Sequence, residues 1–496
     1  MRTRTRAIGQ LTRRGLLGNA LFGAALLPAA RLLAQSAPEG FKVYTDAPRL
    51  FLRAARLRLL RRERERRSLR WEQFETLWNA AVEFPEFGWT AALRYQIAED
   101  GAAGTQAVGW GVAKAAASGA VSENVVRQLA LIADWCGPLM QAADKTAIYG
   151  RLERYAAAPI PAAGMTLAEA RTRALAAIAI SEGRAAVSEK ALRELYEGFW
   201  MKTFIPGLLS AKLHVPNPEA NALIELMHAF RDNLDFDLRD TCGKWYKDYG
   251  PIHILAHYPE PFPASENEYR IPADAQLDQH GPDITKATLS RAAELAMVAY
   301  DSNAAETQLL QGFVMNDRFL MRGTLGIAYE LMWADPYQPG LSYYHVPLVA
   351  HDSIGGELYV RSTWEDDAQW LGFFGGQLQL FGNGELKHID PQSDHDPMDL
   401  QEATVFFARH AEKFRVPARS APARPADADP EDPADSPAVD DVFILGLRPG
   451  TPYHVEVDGE GMFEAASDPG GIVYAPGLPA GAQVRFGLAD QISSNG

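Results

Sequence analysis

Apolar residues recur at helical spacing through most of residues 48–333, with polar residues between them. Residues 53–70 form a highly charged segment of the same helical type, and its basic run favours a solvated helix face over a glycan site. The remaining predicted helices are listed by number: 71–83, 90–98, 103–117, 123–139, 142–157, 167–182, 189–199, 219–233, 284–301, 304–313 and 323–333. Successive helices of similar length predict an α/α toroid or a helical repeat array, without a fixed-period sequence repeat.

The pattern changes near Pro336, where apolar and polar residues begin to alternate and Gly and Pro separate the runs. Residues 336–415 are therefore predicted to form an antiparallel β-sandwich. Residues 416–441 are rich in Pro, Ala and Asp and predict a disordered linker. Residues 442–496 predict further strands, which either complete the sandwich or form a small β module. The predicted fold class is α+β multidomain, with the helical domain over residues 37–335.

The first 36 residues differ from the rest of the chain. They contain six Arg and no acidic residue, with the twin arginines Arg13 and Arg14 just ahead of an apolar run at 16–27. A small-residue site follows at 34–36. This order predicts a bacterial twin-arginine signal peptide and a periplasmic or secreted protein. The alternative is an amphipathic N-terminal helix.

The formal net charge of −15 would become −21 once residues 1–36 and their six Arg are removed. This balance argues against nucleic acid as a partner, and no segment predicts stable membrane insertion. A local basic cleft can still attract an acidic polysaccharide against the net sign. The oligomeric state is left open.

Cysteine content and the absence of known catalytic motifs limit the possible functions further. The two cysteines, Cys136 and Cys242, allow either one disulfide or two buried free thiols, and they exclude a cysteine-based zinc site. The sequence lacks the motifs of serine hydrolases, P-loop NTPases, Rossmann dehydrogenases and zincins. We therefore predict no cofactor and no metal.

Several stretches resemble the heparinase II/III-like group of α/α-toroid polysaccharide lyases. They are DAPRLFL at 46–52, LALIADWCGPL at 129–139, ALIELMHAFRDNLDFDLRD at 222–240 and GGELYVRSTWEDDAQWLGF at 355–373. The resemblance covers most of residues 46–380 and implies a toroid followed by a β-sandwich. It also implies cleavage of a uronate-containing glycan by β-elimination. That reaction needs a group that neutralises the carboxylate, a base that removes the C5 proton and an acid for the leaving oxygen.

The segment WYKDYGPIHILAHYPEP at 245–261 is the densest group of side chains suited to this chemistry. If the chain after Pro251 is helical, His253 and His257 share one face at i, i+4, with Tyr249 nearby. We predict these three as the catalytic residues. An aromatic loop that caps the toroid is the alternative. The His pair also has metal-ligand spacing, but the sequence shows no obvious third ligand.

Five further residues are predicted to bind substrate. Arg231 and Asn233 are candidate carboxylate clamps on the predicted helix 219–233, where a structural polar network is the alternative. Tyr258, Tyr344 and His345 are candidates for closing a cleft or stacking on sugar rings, with core packing as the alternative.

The chain contains no Asn-His dipeptide, the pair that commonly neutralises the carboxylate and removes the proton in this lyase group. Three hypotheses therefore remain open. The first is an exported lyase-like enzyme that acts on an acidic glycan. The second is a non-catalytic glycan-binding or cell-envelope protein on a lyase scaffold. The third is an α/α-barrel glycoside hydrolase, which would need two facing carboxylates.

Overall fold

The computed structural model describes residues 40–161, 164–210, 213–260, 270–275, 277–278, 281–317, 323–417, 439–459 and 461–489. The predicted signal peptide and residues 418–438 of the predicted linker lie outside these ranges. Backbone contacts group the described residues from Phe41 onward into one compact unit.

The first part of the described chain is helical. Its α-helices are α1 Ala54–Glu65, α2 Leu69–Asn79, α3 Phe87–Ala98, α4 Gly101–Ala116, α5 Glu123–Trp135, α6 Ala142–Ala156, α7 Leu167–Ala179, α8 Ala185–Glu194, α9 Ile205–Leu209, α10 Asn217–Leu234, α11 Arg239–Leu255, α12 Ile284–Tyr300, α13 Ala305–Asn316 and α14 Gly326–Trp333. A π-helical segment, Leu195–Phe204, joins α8 to α9.

Local capping chemistry explains where several helices begin. The predicted single helix over residues 53–70 is two helices, because Arg67 takes a positive φ of 51° and Ser68 caps α2 by accepting from the Trp71 amide. Asp100 accepts from two amides at the start of α4. Thr166 and Glu169 form a capping box at α7. These side chains satisfy amides that have no partner within the helix.

Alternate helices of this part pack against one another in order. Each of the following contacts the next, and the last contacts the first: α3, α5, α7, α10, α12 and α14. The intervening helices pack outside them, with α4 against α3, α6 and α8 against α7, and α13 against α12. Helix α11 packs against α13 and also contacts the first strands of the sheet region.

The second part of the described chain consists of strands. After two short strands within the helical part, β1 Leu277–Asp278 and β2 Gly281–Pro282, the strands are β3 Val349–Asp352, β4 Glu357–Arg361, β5 Trp370–Phe374, β6 Gln377–Gly382, β7 Glu385–Ile389, β8 Met398–Leu400, β9 Ala403–Phe407, β10 Lys413–Arg415, β11 Val439–Leu445, β12 Pro452–Val457, β13 Gly461–Ala466, β14 Val473–Pro479 and β15 Gln483–Leu488. Strand β11 takes in residues 439–441, which the sequence analysis placed in the linker.

These strands form three larger sheets. The first is an antiparallel meander of β3 to β7 in sequence order, which includes the hairpin of residues 357–376. The second has the order β14-β11-β9-β8, and the third has the order β10-β15-β12-β13. The pairs are antiparallel except β9 with β11, which is parallel. The architecture is therefore α+β, with helices first and a mainly antiparallel sheet region after them.

Alternation along the strands shows how the layers stack. In the first sheet, Tyr359 and Trp370 belong to the core of the helical part, whereas Leu358 and Leu371 share a core with the second sheet. In the second sheet, Val405 faces that same core and Phe406 faces the third sheet. Because successive side chains of a strand point to opposite faces, the first two sheets are covered on both sides.

The described chain contains no helix that combines the length and the apolar character needed to cross a bilayer. Cys136 and Cys242 are both buried free thiols, and burial raises the pKa of each to about 12. Of the two alternatives, the structure therefore has two free thiols and not a disulfide.

Trp370 joins the helical part to the first sheet. Its side chain is buried, its indole N–H donates to the Leu255 carbonyl over 2.8 Å, and its ring packs edge-on against Tyr258. We expect Trp370→Ala to lower the free energy of unfolding by about 3–5 kcal/mol, because a large buried aromatic leaves a cavity. Urea denaturation measures this loss. Phe463→Ala, at a half-exposed sheet position, is the control, and a loss below about 1 kcal/mol at Trp370 would contradict the assignment.

Candidate functional site

Helix α11 continues past Pro251 and ends at Leu255, so it contains His253, whereas His257 lies just beyond its end. His253 Nε2 lies 2.6 Å from Glu294 Oε1, and His257 Nε2 lies 3.4 Å from the same oxygen. The two rings thus lie together although the helix does not extend to His257, and Glu294 of α12 is the partner that both rings share. We call His253, His257 and Glu294 the histidine–glutamate cluster.

Glu294 also forms an ion pair on the side away from the histidines. Arg291 Nη1 lies 2.7 Å from Glu294 Oε2, and the other end of the same guanidinium bonds Asp317. Burial alone would raise the pKa of Glu294, but Arg291 and the hydrogen bond with His253 outweigh it and hold this pKa well below its usual range. The carboxylate is therefore ionised although no solvent reaches it.

Asp274 is an unusual neighbour of the cluster. Both of its carboxylate oxygens are buried and have no hydrogen-bond partner among the described residues. Burial raises its pKa to about 6, while the charge of His253 acts in the opposite direction. A buried carboxylate without partners is costly to keep, so this position marks a site rather than ordinary packing.

Tyr249 stacks on His253, with 4.9 Å between ring centroids. Its hydroxyl has no hydrogen-bond partner among the described residues, and burial raises its pKa well above the usual value. The three predicted catalytic residues thus lie together where α11 meets the first sheet. They are enclosed, however, with exposed fractions of 5% for Tyr249, 0% for His253 and 1% for His257.

Helix α10 carries a polar network into the centre of the helical part. Glu225 accepts from Arg127 Nε at 3.0 Å and from Arg171 Nη1 at 3.1 Å. The Arg127 guanidinium also lies over the rings of Trp89 and Tyr329. Glu225 therefore belongs to a structural polar network, which was the alternative interpretation of this helix face. Arg171 belongs to the same network.

One turn further along α10, His228 and the pair Arg231 and Asp232 line an open cleft of about 750 Å³. The other wall comes from the basic segment, with Arg53, Arg56, Arg58 and Arg62. We call this cavity the arginine cleft.

The charges that line the arginine cleft do not balance. Five Arg side chains line it against two carboxylates, Asp232 and Asp335. Arg58 and Arg62 are exposed and have no ion-pair partner within 4 Å among the described residues. Part of the basic segment is thus a cleft wall. Residues 65–67 form the exposed face that the solvated interpretation expected, whereas Glu63 is buried and Arg70 pairs with the buried Glu330.

Hydrogen bonds and burial determine the protonation states of the polar groups on the α10 side of the cleft. His228 Nε2 lies 2.8 Å from the Ala296 carbonyl, and its Nδ1 lies 3.2 Å from Arg231 Nη2. Burial lowers the pKa of His228, so the ring is neutral, donates through Nε2 and accepts through Nδ1. Burial would raise the pKa of Asp232, but His228 and Arg231 lower it to about 2.

A second cavity, of about 720 Å³, provides a contrast. It is lined by residues 41–47, Arg49 and residues of 181–189, and it includes three carboxylates against two basic side chains. The excess of positive charge is therefore a property of the arginine cleft and not of clefts in this protein generally.

The other predicted substrate-binding residues do not line the arginine cleft. Asn233 is buried and accepts from the Thr45 hydroxyl, so it anchors the segment before α1. Tyr258 is buried between the helices and the first sheet, and its hydroxyl donates to Gln379. Tyr344 and His345 are exposed in a short 3-10 turn ahead of the sheet. The structure thus brings Arg231 to a cleft and does not bring these four beside it.

Sequence reasoning missed Glu294, Arg291 and Asp274 near the histidines. Arg291 and Glu294 are three residues apart in an otherwise apolar helix, a signal that a buried ion pair would leave. Asp274 follows Pro272 in a short segment that shows no helical or strand pattern, so nothing in the sequence marked it.

A search with protein-family models found no match, and no curated protein matches this chain.

His214 forms a further charged contact between the helical part and the first sheet. Its Nδ1 lies 3.1 Å from Asp352 Oδ2, and its Nε2 lies 3.4 Å from Glu357 Oε1. Burial alone would lower the pKa of His214, but the hydrogen bonds with Asp352 and Glu357 raise it to about 9. The ring is therefore charged at neutral pH.

This contact predicts a pH dependence of stability. Because the folded pKa is raised above the unfolded value of about 6.5, the contribution of His214 is fully present below pH ~6.5 and is lost as the pH rises through about 9. The difference in melting temperature between the wild type and His214→Gln should be largest below pH ~6.5 and close to zero above pH ~9. A difference that stays constant across this window would contradict the assignment.

Proposed function

We propose that this chain is an exported, lyase-like protein that binds an acidic, uronate-containing glycan in the arginine cleft. The observation that carries the proposal is the excess of five arginines over two carboxylates in a cleft of a chain whose net charge is −15. A local positive field of this kind attracts a polyanion and repels the cationic ligands that the net negative charge of the rest of the chain would favour. The predicted twin-arginine signal peptide in residues 1–36 supports a periplasmic or secreted location.

The scaffold that we propose is an α/α toroid followed by a β-sandwich. The ordered contacts among α3, α5, α7, α10, α12 and α14 support the toroid. The shared cores between facing sheets support the sandwich. The resemblance to heparinase II/III-like lyases supplies the same two parts in the same order.

The walls of the cleft suit a carboxylated sugar chain. Arg guanidinium groups bind carboxylates through paired hydrogen bonds, and the exposed Arg58 and Arg62 are available for them. Arg231 is held by Asp232, with 2.8 Å between Nη2 and Oδ1, so it contributes a fixed charge more than a free donor. Phe51 and Trp333 also line the cleft, but both are buried beneath its surface.

Charge reversal in the cleft is the first test. We expect the double variant Arg58→Glu/Arg62→Glu to weaken the binding of acidic polysaccharides at least about tenfold, or about 1.4 kcal/mol, because two attractive charges become repulsive. Titration calorimetry on alginate, heparan, chondroitin, hyaluronan and pectin-type chains measures the dissociation constant. The affinity of the wild type should also fall as salt is added.

The matched control is Arg409→Glu/Arg415→Glu, which makes the same change in net charge at exposed positions of the sheet region. It should leave the affinity within about twofold of the wild type, because a distant exposed charge is screened by solvent and salt. Equal losses in both double variants would show that net charge alone matters, and the cleft would lose its assigned role.

A second candidate function is β-elimination at the junction of helices and sheet. The observation that favours it is the convergence of Tyr249, His253 and His257 with Asp274, whose carboxylate has no hydrogen-bond partner among the described residues. In this scheme one of the two histidines removes the C5 proton, and Tyr249 protonates the departing glycosidic oxygen. Because these side chains are enclosed, substrate reaches them only after the junction opens locally.

Two single tyrosine variants, one at the site and one control, test this reaction. Tyr249→Phe removes a hydroxyl without a hydrogen-bond partner, so it should leave stability unchanged and lower the rate at least about 100-fold. Tyr246→Phe is the control, since its buried hydroxyl on the same helix also has no partner among the described residues. The assay is the ultraviolet absorbance of the unsaturated uronate product on the same five substrates.

The possible outcomes distinguish an error in the assigned site from an error in the assigned reaction. Product formation that survives Tyr249→Phe would reject this site and keep the reaction. If no substrate gives product while calorimetry still shows binding, the β-elimination hypothesis is wrong and the glycan-binding function stands.

A further inference from the structure

The histidine–glutamate cluster has the composition and spacing of a metal site. One ligand atom each from His253, His257 and Glu294 lies within 4.8 Å of the other two, and all three side chains are buried. His253 lies in the last turn of α11, His257 follows just after that helix ends, and the carboxylate comes from α12. The His257 amide donates to the Ile254 carbonyl over 3.3 Å, which holds this residue at the end of the helix.

The tautomer of His257 leaves a lone pair pointing into this cluster. Its Nδ1 lies 2.8 Å from the His253 carbonyl oxygen, which can only accept, so Nδ1 carries the hydrogen. In the neutral ring Nε2 is then an acceptor, and it faces the ionised Glu294 Oε1 at 3.4 Å. Two acceptors that face each other repel unless a cation lies between them.

The charges around the cluster also favour a cation. Among the described residues, Arg291 carries one positive charge against the two carboxylates of Glu294 and Asp317 that it contacts. Asp274 adds a third carboxylate, whose two buried oxygens have no hydrogen-bond partner among the described residues. Buried charge without compensation is expensive, and a divalent ion removes the imbalance.

We propose that His253, His257 and Glu294 bind a divalent transition-metal ion, with Zn²⁺ favoured by the two-imidazole, one-carboxylate ligand set. Ligand atoms around tetrahedral zinc lie roughly 3.4 Å apart. The separation between His257 and Glu294 already has this value, and the 2.6 Å between His253 and Glu294 lengthens when the ion replaces the shared proton. The fourth position is left for water or another oxygen.

Neighbouring contacts orient the ligands as metal sites require. The His257 N–H bonds a backbone carbonyl, and Arg291 holds Glu294 by Oε2, which leaves Oε1 for the ion. His253 Nδ1 has no hydrogen-bond partner among the described residues and can take the proton that Nε2 gives up. The site does not rest on glycan binding, and its test uses no glycan.

Metal content and metal binding are measured on the purified full chain. The chain, stripped with a chelator and then desalted, should bind one Zn²⁺ per molecule in competition with a chromophoric chelator, and the ion should raise its melting temperature. Co²⁺ in the same site should give the visible absorption bands of a four-coordinate ion with nitrogen and oxygen ligands. His257→Ala and the size-conserving Glu294→Gln should each weaken Zn²⁺ binding at least about tenfold.

The control is His351→Ala, which removes a histidine paired with a carboxylate, Asp468, outside the cluster. It should keep the zinc affinity of the wild type. A wild-type chain that binds no Zn²⁺ at one ion per molecule overturns the proposal. Unchanged zinc affinity in a folded Glu294→Gln or His257→Ala variant overturns the assignment of these ligands, and loss of affinity in His351→Ala as well would indicate binding elsewhere.

Discussion

The packing of the helical part depends on the ion pairs that are buried at its centre. Glu225 is fully buried, and its two oxygens are held by Arg127 and Arg171 from two neighbouring helices. A lone buried carboxylate would be prohibitive, so these three helices must pack in one register for the pairing to form. That register places the next turns of α10 so that His228 and Arg231 face the basic segment across the arginine cleft.

Helix α12 connects the two candidate sites. Glu294 belongs to the histidine–glutamate cluster, while Ala296 and Tyr300 support His228 and Arg231 beside the cleft. Six residues of α-helix span about 9 Å, so the two sites are neighbours along one rigid element. Metal binding at one site would therefore stabilise a wall of the other, which links the buried chemistry to the proposed recognition of an acidic chain.

The change of pattern near Pro336 predicted the order of helices and strands because helical and strand periodicities differ strongly. The proximity of His253 and His257 was also predictable from their spacing, although α11 ends at Leu255, just before His257. Glu294 and Asp274 were not, because only tertiary packing brings them to the histidines. The break at Arg67 within a continuous charged segment depended on one backbone angle. The burial of Tyr258 depended on Gln379, which is 121 residues away.

Hydrogen–deuterium exchange with and without a uronate oligosaccharide would test the central claim most directly, because it locates bound ligand without assuming a reaction. The account predicts slower exchange in the segments that line the arginine cleft, at residues 53–62 and 228–232, with little change in the sheet region. Protection confined to the sheets, or slower exchange around residues 41–49 and 181–189 instead, would contradict the assignment of the glycan site.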